Sequence, residues 1–170
     1  MKTMIYTGTI RESLLKQMLT VLSECSRQTN FVLHLYSPNC GVVDDMPWIS
    51  KFGQVSHNHS LKAQEGGDIL LSMGVSGTRF IAAKIFEYIS TGKKIIHFYV
   101  DDYDPNVPYY SNISNALCVD IKKDVHQNIA AVVKFIQNDY EPLSFEEISK
   151  LFPMNEAKYT YNTIMERVSI

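Results

Sequence analysis

The chain has no hydrophobic run long enough to cross a membrane and no secretory signal at its N-terminus. Its apolar stretches fall well short of the roughly 20 residues that a membrane-spanning helix needs. Lysine and arginine are nowhere clustered and the formal net charge is −2, which excludes a nucleic-acid-binding protein that works by neutralising phosphates. We therefore expect a cytoplasmic protein that does not bind nucleic acid.

Cysteine is scarce, and the common catalytic motifs are missing. Cys25, Cys40 and Cys118 are odd in number, far apart and without CxxC spacing, which predicts reduced thiols rather than a disulfide framework or a zinc site. There is no Walker loop, G-x-G-x-x-G, H-E-x-x-H or G-x-S-x-G motif. His57 and His59 form a close pair without further ligands nearby, so we predict solvated loop histidines and no bound metal.

Strand-like and helix-like segments alternate along most of the chain. With 170 residues, 45% of them hydrophobic, the chain is long enough for one domain with a substantial core. Alternation of this kind predicts a parallel sheet with right-handed crossovers. We predict an α/β fold, a Rossmann-like doubly wound parallel sheet of about six strands with helices on both faces. The predicted strands are residues 4–7, 31–36, 52–56, 68–73, 94–99 and 116–121, and the predicted helices are residues 12–26, 58–65, 79–91 and 125–137.

The last thirty residues show a different pattern. Ser144 and Glu147 have the spacing of a capping box, and Pro153 interrupts the helix that they would open. A second helix, capped by Asn155, would carry an apolar stripe of Tyr161, Ile164, Met165 and Val168. We therefore predict a domain over residues 1–140 and two C-terminal helices over 141–170, which pack on that domain or extend toward another.

Two strand-end loops are rich in small residues and are candidates for binding a phosphate. Gly8 and Thr9 follow the first strand, and the segment Gly74-Val-Ser76-Gly77-Thr78 follows the fourth and leads into a helix that begins at Arg79. Small residues let backbone N–H groups approach a ligand, and a helix N-terminus attracts an anion. An arginine in the first turn opposes the helix dipole unless an anion is present. An ordinary turn glycine and an unrelated arginine would explain the same residues.

Lys84 and Glu87 are neighbours at i, i+3 on the helix that precedes the fifth strand. That helix ends at Gly92 and runs directly into the strand, as in half of a βαβ unit, which places ligands at the carboxyl ends of its strands. The pair could therefore face a ligand. An exposed intrahelical ion pair, common and weak, is the alternative.

The stretch DILLSMG…AAKIFEYISTGKKIIHFY resembles the donor-binding half of GT-B glycosyltransferases. It is most similar to bacterial family 4-like enzymes with the signature D-x-L-[LIV]-x-[IM]-G…P-S-K-[IL]-F-E-Y-[IM]-[SA]-[TA]-G-K-P-[IV]-I. The opening MIYTGTI resembles the first strand and loop of that half-domain, and Phe52-Gly-Gln-Val55 resembles the family's F-x-G-x-V turn. The resemblance covers nearly the whole chain, and KIFEYISTGK is its most specific part.

The resemblance implies a role for each matching residue. Glu87 would accept hydrogen bonds from the ribose hydroxyls of a UDP- or GDP-linked sugar, and Lys84 would pair with the diphosphate or with Glu87. Gly8, Thr9 and Arg11 would lie near the diphosphate. Ser76, Gly77, Thr78 and Arg79, after Gly74, would contact the phosphates or the sugar, and the backbone at Gly53 and Val55 would meet the base. The implied reaction is retaining sugar transfer in polysaccharide or glycoconjugate biosynthesis, without metal or cofactor.

Several positions depart from the family pattern. Arg79 stands where many members have the first glutamate of an E-x7-E pair, Ala82 and Ala83 replace Pro-Ser, and Lys94 replaces the proline after the glycine-lysine pair. The acceptor-binding half is absent from this sequence, so we expect an excised domain or one subunit of a split transferase, inactive alone. Its partner would be the N-terminal half, which would also provide any peripheral association with a membrane, and the terminal apolar stripe would allow self-association.

Two other functions stay open at this point. A non-catalytic α/β nucleotide-binding module would keep the fold without the chemistry, in agreement with the missing first glutamate. Half of a nucleotide-sugar epimerase would have the same architecture, but an epimerase needs acid and base residues facing the sugar, and no convincing set is present in the sequence.

Overall fold

The computed structural model describes residues 1–75, 77, 81 and 84–153. It has six β-strands and six α-helices, with a short 3-10 helix at Cys40–Val42. No helix in this described part is long and apolar enough to span a membrane. The elements in chain order are β1 Lys2–Thr7, α1 Glu12–Gln28, β2 Phe31–Tyr36, β3 Ile49–Lys51, α2 His57–Gly66, β4 Ile69–Met73, α3 Lys84–Ser90, β5 Lys94–Tyr99, α4 Val107–Ser111, β6 Ala116–Asp120, α5 Val125–Gln137 and α6 Phe145–Leu151.

All strand pairs are parallel, and the sheet order is β3-β2-β1-β4-β5-β6. The chain moves outward from β1 to β3, then returns to the other side of β1 with β4. The carboxyl ends of β1 and β4 are therefore the point at which the strand order reverses. In open α/β sheets the crevice at such a switch point is where ligands bind.

Alternating side chains along the strands build two cores, one on each face of the sheet. Met4 and Leu71 pack with α1 and α5 in the first core. Ile5, Leu70 and Ile95 face the other way, toward α2, α3, α4 and α6 in the second core. Burial of a side chain of this size contributes about 1.5–3 kcal/mol. Both faces are covered, which explains why β4 and β5 are almost continuously apolar.

The helices begin and pack as their sequence patterns indicate. Helix α1 buries Leu14, Met18, Leu22 and Cys25 at helical spacing. Ser144 and Glu147 form a complete capping box at the start of α6. Residue Ile148 of α6 is buried in the core beneath α3.

The segment before α6 packs against the amino-terminal ends of β5 and β6. The Asn115 side chain donates hydrogen bonds to the carbonyl oxygens of Gly92 (3.0 Å) and Glu141 (3.1 Å). A Cβ on Gly92 would lie 2.0 Å from the carbonyl oxygen of Leu143, and Gly92 has a φ of 67°. Only glycine fits this conformation and this close approach.

The fold class is confirmed: the protein is an α/β domain with six parallel strands and a Rossmann-like order. The prediction for the third strand was wrong in position, because β3 is a short edge strand at Ile49–Lys51 rather than residues 52–56. The region 101–114, for which neither a strand nor a helix was predicted, contains the short helix α4. Part of the helix predicted for 79–91, and the final helix with its stripe from Tyr161 to Val168, lie outside the described residues.

Candidate functional site

A cavity of about 210 Å³ lies at the switch point between β1 and β4. The strand ends and the loops that follow them supply one wall, and α3 and α4 supply the other. Its described lining contains two cationic side chains, several hydroxyl groups and glycine backbone. The lining residues are Tyr6, Thr7, Gly8, Thr9, Arg11, Ser72, Met73, Val75, Lys84, Ile85, Tyr88 and Tyr110.

Gly8 brings the loop after β1 close to Lys84. A Cβ on Gly8 would lie 3.5 Å from Cε of Lys84, and Gly8 has a φ of 132°, a conformation that glycine adopts without strain. The N–H of Gly8 donates to the carbonyl of Tyr36 at the end of β2. The Gly8 N–H is therefore already paired, and what Gly8 contributes is room for the Lys84 side chain, whose cationic end suits an anion in the cavity.

The cavity wall around Thr7 is fixed by buried hydrogen bonds. The N–H of Thr7 donates to the Tyr88 hydroxyl at 3.0 Å, and the two hydroxyl oxygens are 3.1 Å apart. The Gln64 amide donates to the Thr7 hydroxyl at 3.1 Å. Burial raises the pKa of Tyr88 to about 12, so its hydroxyl stays neutral and acts only as a hydrogen-bonding group at physiological pH.

Glu87 lies beside the cavity, at a second groove of about 250 Å³ between α2 and α3. Its side chain is 27% exposed, and Oε2 lies 3.7 Å from Nζ of Lys84, which is 38% exposed. Gln64 donates to the same Oε2 at 3.4 Å. Both neighbours contact Oε2 and hold the carboxylate at the groove surface, where it can accept hydrogen bonds from a ligand.

Gln64 connects the two cavities. Its side chain is buried, and Nε2 also donates to Ser60, while Oε1 has no hydrogen-bond partner in the described part of the chain. Because Glu87 can only accept when ionised, Nε2 must be the atom that faces it. Gln64 therefore links the end of β1 to the carboxylate on α3.

The loop after β4 is held down by Asp104. The Oδ2 atom of Asp104 accepts the N–H of Val75 at 2.9 Å, and it lies so close to Gly74 that a Cβ there would be 2.2 Å away. Gly77 is exposed, has a φ of 70° and donates its N–H to Asp101 at 3.1 Å. Gly74 thus serves the packing of this loop, and Gly77 lies at its surface.

A buried polar cluster lies directly behind the cavity. The His97 Nδ1 atom lies 3.0 Å from Oγ of Ser72, and Tyr110 donates its hydroxyl to the same Oγ at 3.3 Å. Nε2 of His97 is 3.5 Å from Oδ2 of Asp104, and both side chains are fully buried. Burial would raise the pKa of Asp104, but the contact with His97 and the backbone N–H donors outweigh it and lower that pKa.

Arg11 and Thr9 lie where the chain passes from β1 to α1. Arg11 is exposed, lines the cavity and directly precedes the first turn of α1. The carbonyl of Thr9 accepts the Tyr6 hydroxyl at 2.6 Å. Both residues adjoin the same cavity as Lys84.

The predicted base-contacting residues lie apart from this cavity. Gly53, with a φ of 73°, and Val55 belong to the loop between β3 and α2 and do not line it. Phe52 is exposed and stacks on Tyr36, with the ring centres 4.7 Å apart and the planes at 11°. Tyr36 is the register partner of Thr7, so this aromatic pair flanks the cavity on the β2 side.

The structure thus brings four of the predicted site residues together in one cavity: Gly8, Thr9, Arg11 and Lys84. Glu87 adjoins it, and Gly53, Val55, Gly74 and Gly77 contribute no side chain to it. Ser76, Thr78 and Arg79 lie outside the described residues. The sequence analysis missed the hydroxyl-bearing and amide side chains in and behind the cavity wall. Tyr88 could have been predicted, because it follows Lys84 by four residues on α3 and therefore lies on the same helix face. The missed residues are Thr7, Gln64, Ser72, Tyr88 and Tyr110.

A larger cavity, of about 570 Å³, lies beside α1 and shares no lining residue with the switch-point cavity. Its rim mixes both charge signs, with Glu12, Lys16 and Asp44. We therefore assign the site by its position in the fold rather than by volume.

The chemistry available in the described lining is that of anion binding. The two cationic side chains, Arg11 and Lys84, favour a phosphate-like group. No carboxylate, imidazole or thiol belongs to the described lining, and burial raises the pKa of its tyrosines Tyr6, Tyr88 and Tyr110. Across the residues that the structure describes, no group of three or more histidine, cysteine, aspartate or glutamate side chains could hold a metal ion.

Comparisons with known proteins show only distant similarity. No family model matches the sequence, and no curated protein matches it. Among solved structures, the chain is similar to the flavoenzyme NAD(P)H:(acceptor) oxidoreductase FerB from Paracoccus denitrificans, with 11% identity, a TM-score of 0.44, and coverage of 88% of this chain and 98% of that one. It is also similar to the glycosyltransferase SnogD from Streptomyces nogalater, with 12% identity and a TM-score of 0.44. That match covers 90% of this chain and spans 44% of SnogD.

Proposed function

We propose that the protein binds a nucleoside-diphosphate sugar at the switch point and acts as the donor-binding domain of a glycosyltransferase. The observation that carries this proposal is the convergence of Gly8, Arg11 and Lys84 on one cavity, with the Glu87 carboxylate beside it. A diphosphate needs cations, whereas the hydroxyl groups of a ribose need a hydrogen-bond acceptor. The two kinds of group are adjacent here.

The cavity is too small for a whole nucleoside-diphosphate sugar, so in this proposal the diphosphate, the ribose and the base contact different surfaces. A cavity of about 210 Å³ is smaller than the roughly 300–1,000 Å³ of a pocket for a whole drug-sized ligand. The diphosphate would occupy this cavity, and the ribose would extend toward Glu87. The base would lie toward the loop of Gly53 and Val55, where the exposed ring of Phe52 offers a surface for stacking.

In the proposed reaction Lys84 and Arg11 stabilise the negative charge that develops on the departing nucleoside diphosphate. Such fixed cations lower the barrier without a bound metal. The acceptor and its orienting groups belong to the N-terminal half, on the same chain or a partner chain. This chain alone would bind the donor and transfer little, since catalysis depends on holding both reactants in place.

A second candidate is a nucleotide-binding module without catalysis. The described lining of the cavity has no carboxylate, imidazole or thiol, and burial raises the pKa of its tyrosines Tyr6, Tyr88 and Tyr110. This favours the module over half of an epimerase, because an epimerase must move a proton at the sugar. A module and a transferase half would bind the same nucleotides. Transfer activity after addition of an acceptor-binding half would separate them.

Titration of the protein with UDP, GDP, UDP-glucose and pyrophosphate by calorimetry tests the proposal. We expect saturable binding of at least one nucleoside diphosphate, weakened in Glu87→Ala for nucleotides but not for pyrophosphate. The absence of saturable binding with UDP, GDP and UDP-glucose would refute it, whether or not pyrophosphate binds.

A further inference from the structure

We propose that Gln64 is the positioning residue for Glu87 and thereby sets a preference for nucleotides that carry ribose hydroxyl groups. Gln64 itself touches no ligand. It holds the Glu87 carboxylate apart from the Lys84 ammonium, so that the carboxylate stays available as an acceptor. This inference deepens the proposed function and rests on it in one respect, that the ribose hydroxyls donate to Glu87.

The amide of Gln64 is held in place from two sides. The residue lies on α2 and is 1% exposed. Its Nε2 atom donates to the Thr7 hydroxyl at 3.1 Å and to the Ser60 hydroxyl at 3.2 Å. Thr7 belongs to β1, and Ser60 lies four residues earlier on α2. These contacts tie the amide to the sheet and to its own helix, so the donor has a defined position.

Lys84, the other neighbour of Glu87, is less constrained. Its side chain is 38% exposed, and Nζ lies 3.7 Å from Oε2 of Glu87. A close contact between an ammonium and a carboxylate has an N···O distance of about 2.7–2.9 Å, so this ion pair is not closed. The two residues are neighbours at i, i+3 on α3, and rotation of the flexible lysine stem can close the pair. A closed pair would withdraw both charged groups from a ligand.

The amide of Gln64 opposes that closure. Nε2 donates to Oε2 of Glu87 at 3.4 Å from α2, across the groove that Gln64 and Glu87 both line. Oε2 is therefore shared between a fixed donor on α2 and the mobile ammonium of Lys84 on α3. Because both contacts reach Oε2, the hydroxyl groups of a ribose would be accepted by Oε1.

The amide has fewer protons than it has acceptors. Nε2 carries two protons and faces three oxygens, one each from Thr7, Ser60 and Glu87. The contact with Glu87 is the longest of the three. A ligand hydroxyl that donates to the Glu87 carboxylate makes up for the missing proton, whereas a group that only accepts does not. The groove is therefore suited to a ligand that brings hydroxyl donors, as a ribose does.

The experiment compares the affinities for UDP and for dideoxy-UDP, which lacks both ribose hydroxyl groups. We expect the wild type to bind UDP roughly tenfold more tightly, the size of a hydrogen bond to a charged group. Gln64→Met keeps the length of the side chain but has no N–H, and it should lower this preference by roughly threefold or more. Gln17→Met, the same change on the exposed face of α1, should keep the wild-type preference.

A double-mutant cycle separates positioning from a purely structural role. In a Glu87→Ala background, Gln64→Met should have no further effect on the preference for UDP. Pyrophosphate affinity should fall in Gln64→Met, because the closed ion pair engages Lys84, and it should return when Glu87→Ala is added. A pyrophosphate affinity that falls in Gln64→Met and does not return in the double variant indicates general damage to the fold and overturns the inference.

NMR of the side-chain amide gives a readout in the wild type. The signals of the Gln64 NH₂ group should shift on saturation with UDP and shift much less with dideoxy-UDP. The reason is that a ribose hydroxyl at Glu87 changes how the amide protons are shared among their acceptors. Equal shifts with both ligands would contradict the proposed role. This measurement decides the question if Gln64→Met does not fold.

The remaining outcomes separate the inference from the proposed function. If UDP binds and Gln64→Met keeps the full preference over dideoxy-UDP, the inference is wrong and nucleotide binding stands. If the wild type binds both nucleotides equally, Glu87 does not accept the ribose hydroxyls, and the inference is wrong although nucleotide binding again stands. The absence of saturable binding with any nucleotide refutes the proposed function and the inference together.

Discussion

A Cβ atom on Gly74 would lie 2.2 Å from Oδ2 of Asp104 and 2.9 Å from Cβ of Tyr99. The same carboxylate accepts the N–H of Val75 and faces His97, so it cannot move aside without breaking these contacts. Because position 74 has no side chain, Asp104 in the loop after β5 can approach and hydrogen-bond the backbone of the loop after β4.

Gly74→Ala should destabilise the fold by about 1–3 kcal/mol, the usual cost of overpacking a filled site. The measurement is urea unfolding followed by circular dichroism. Gly41→Ala is the matched control, because a Cβ there meets nothing within 4 Å, and it should change stability little. Equal stability of the two variants would contradict the close approach.

Glu87→Gln should weaken UDP binding roughly tenfold, because an amide oxygen is a weaker acceptor for ribose hydroxyls than a carboxylate. Pyrophosphate affinity should not change, since it has no ribose. Glu24→Gln is the matched control: Glu24 also pairs with a cation at i, i+3, but on α1. Calorimetric titration gives the affinities, and a loss of pyrophosphate binding in Glu87→Gln would indicate a general disturbance instead.

Lys84→Met should weaken UDP and pyrophosphate binding alike, by roughly tenfold or more, because it removes the ammonium group beside Gly8 that would pair with the diphosphate. Uridine, which has no phosphate, should be unaffected by the change. Lys16→Met on α1 serves as the control and should bind UDP as the wild type does. Undiminished pyrophosphate binding in Lys84→Met would show that Lys84 does not bind the diphosphate.

Lys94 should make stability depend on pH in the alkaline range. Burial lowers the pKa of Lys94 to about 8, helped by the Lys2 ammonium and opposed by Asp139 and Asp68. Between about 8 and the ordinary value of 10.5, the folded state binds fewer protons than the unfolded chain. The contribution of Lys94 to the free energy of unfolding therefore rises with pH across this window.

The test is the difference in unfolding free energy between wild type and Lys94→Met, measured at several pH values across that window. The difference should grow with pH. Lys94→Met should also lose stability across the window, because it removes the Nζ atom that donates to the carbonyl oxygens of Phe135, Ile136 and Asn138. Lys93→Met is the neighbouring control and should keep the wild-type pH dependence; parallel curves for Lys94→Met would contradict the assignment.

The sequence predicts the sheet well because its central strands are buried on both faces and therefore read as unbroken apolar runs. The edge strand β3 is different: Ile49–Lys51 has three partly buried residues, too few to show a period. Helix α4 has only five residues, and the Pro108 in its first turn is also a turn residue. Short elements of this kind are set by tertiary packing rather than by local pattern.

From the sequence, the candidate site can be predicted only at residues that belong to a recognisable local pattern. Gly8 and Lys84 lie in patterns that indicate a loop and a helix face, and both line the cavity. Gln64, Ser72 and His97 have no such pattern, because a polar residue in a buried strand or helix looks the same whether or not it has a partner. Their roles depend on partners far away in the sequence, which only the folded chain reveals.

Asn115 joins the amino-terminal ends of β5 and β6 to the segment before α6. Strands of this length separate these ends from the switch point by roughly 17–20 Å. The effects on stability of substitutions that far apart are additive. A protein engineer could therefore exchange side chains that line the cavity, such as Arg11 or Lys84, without weakening the contacts that hold the other end of the sheet together.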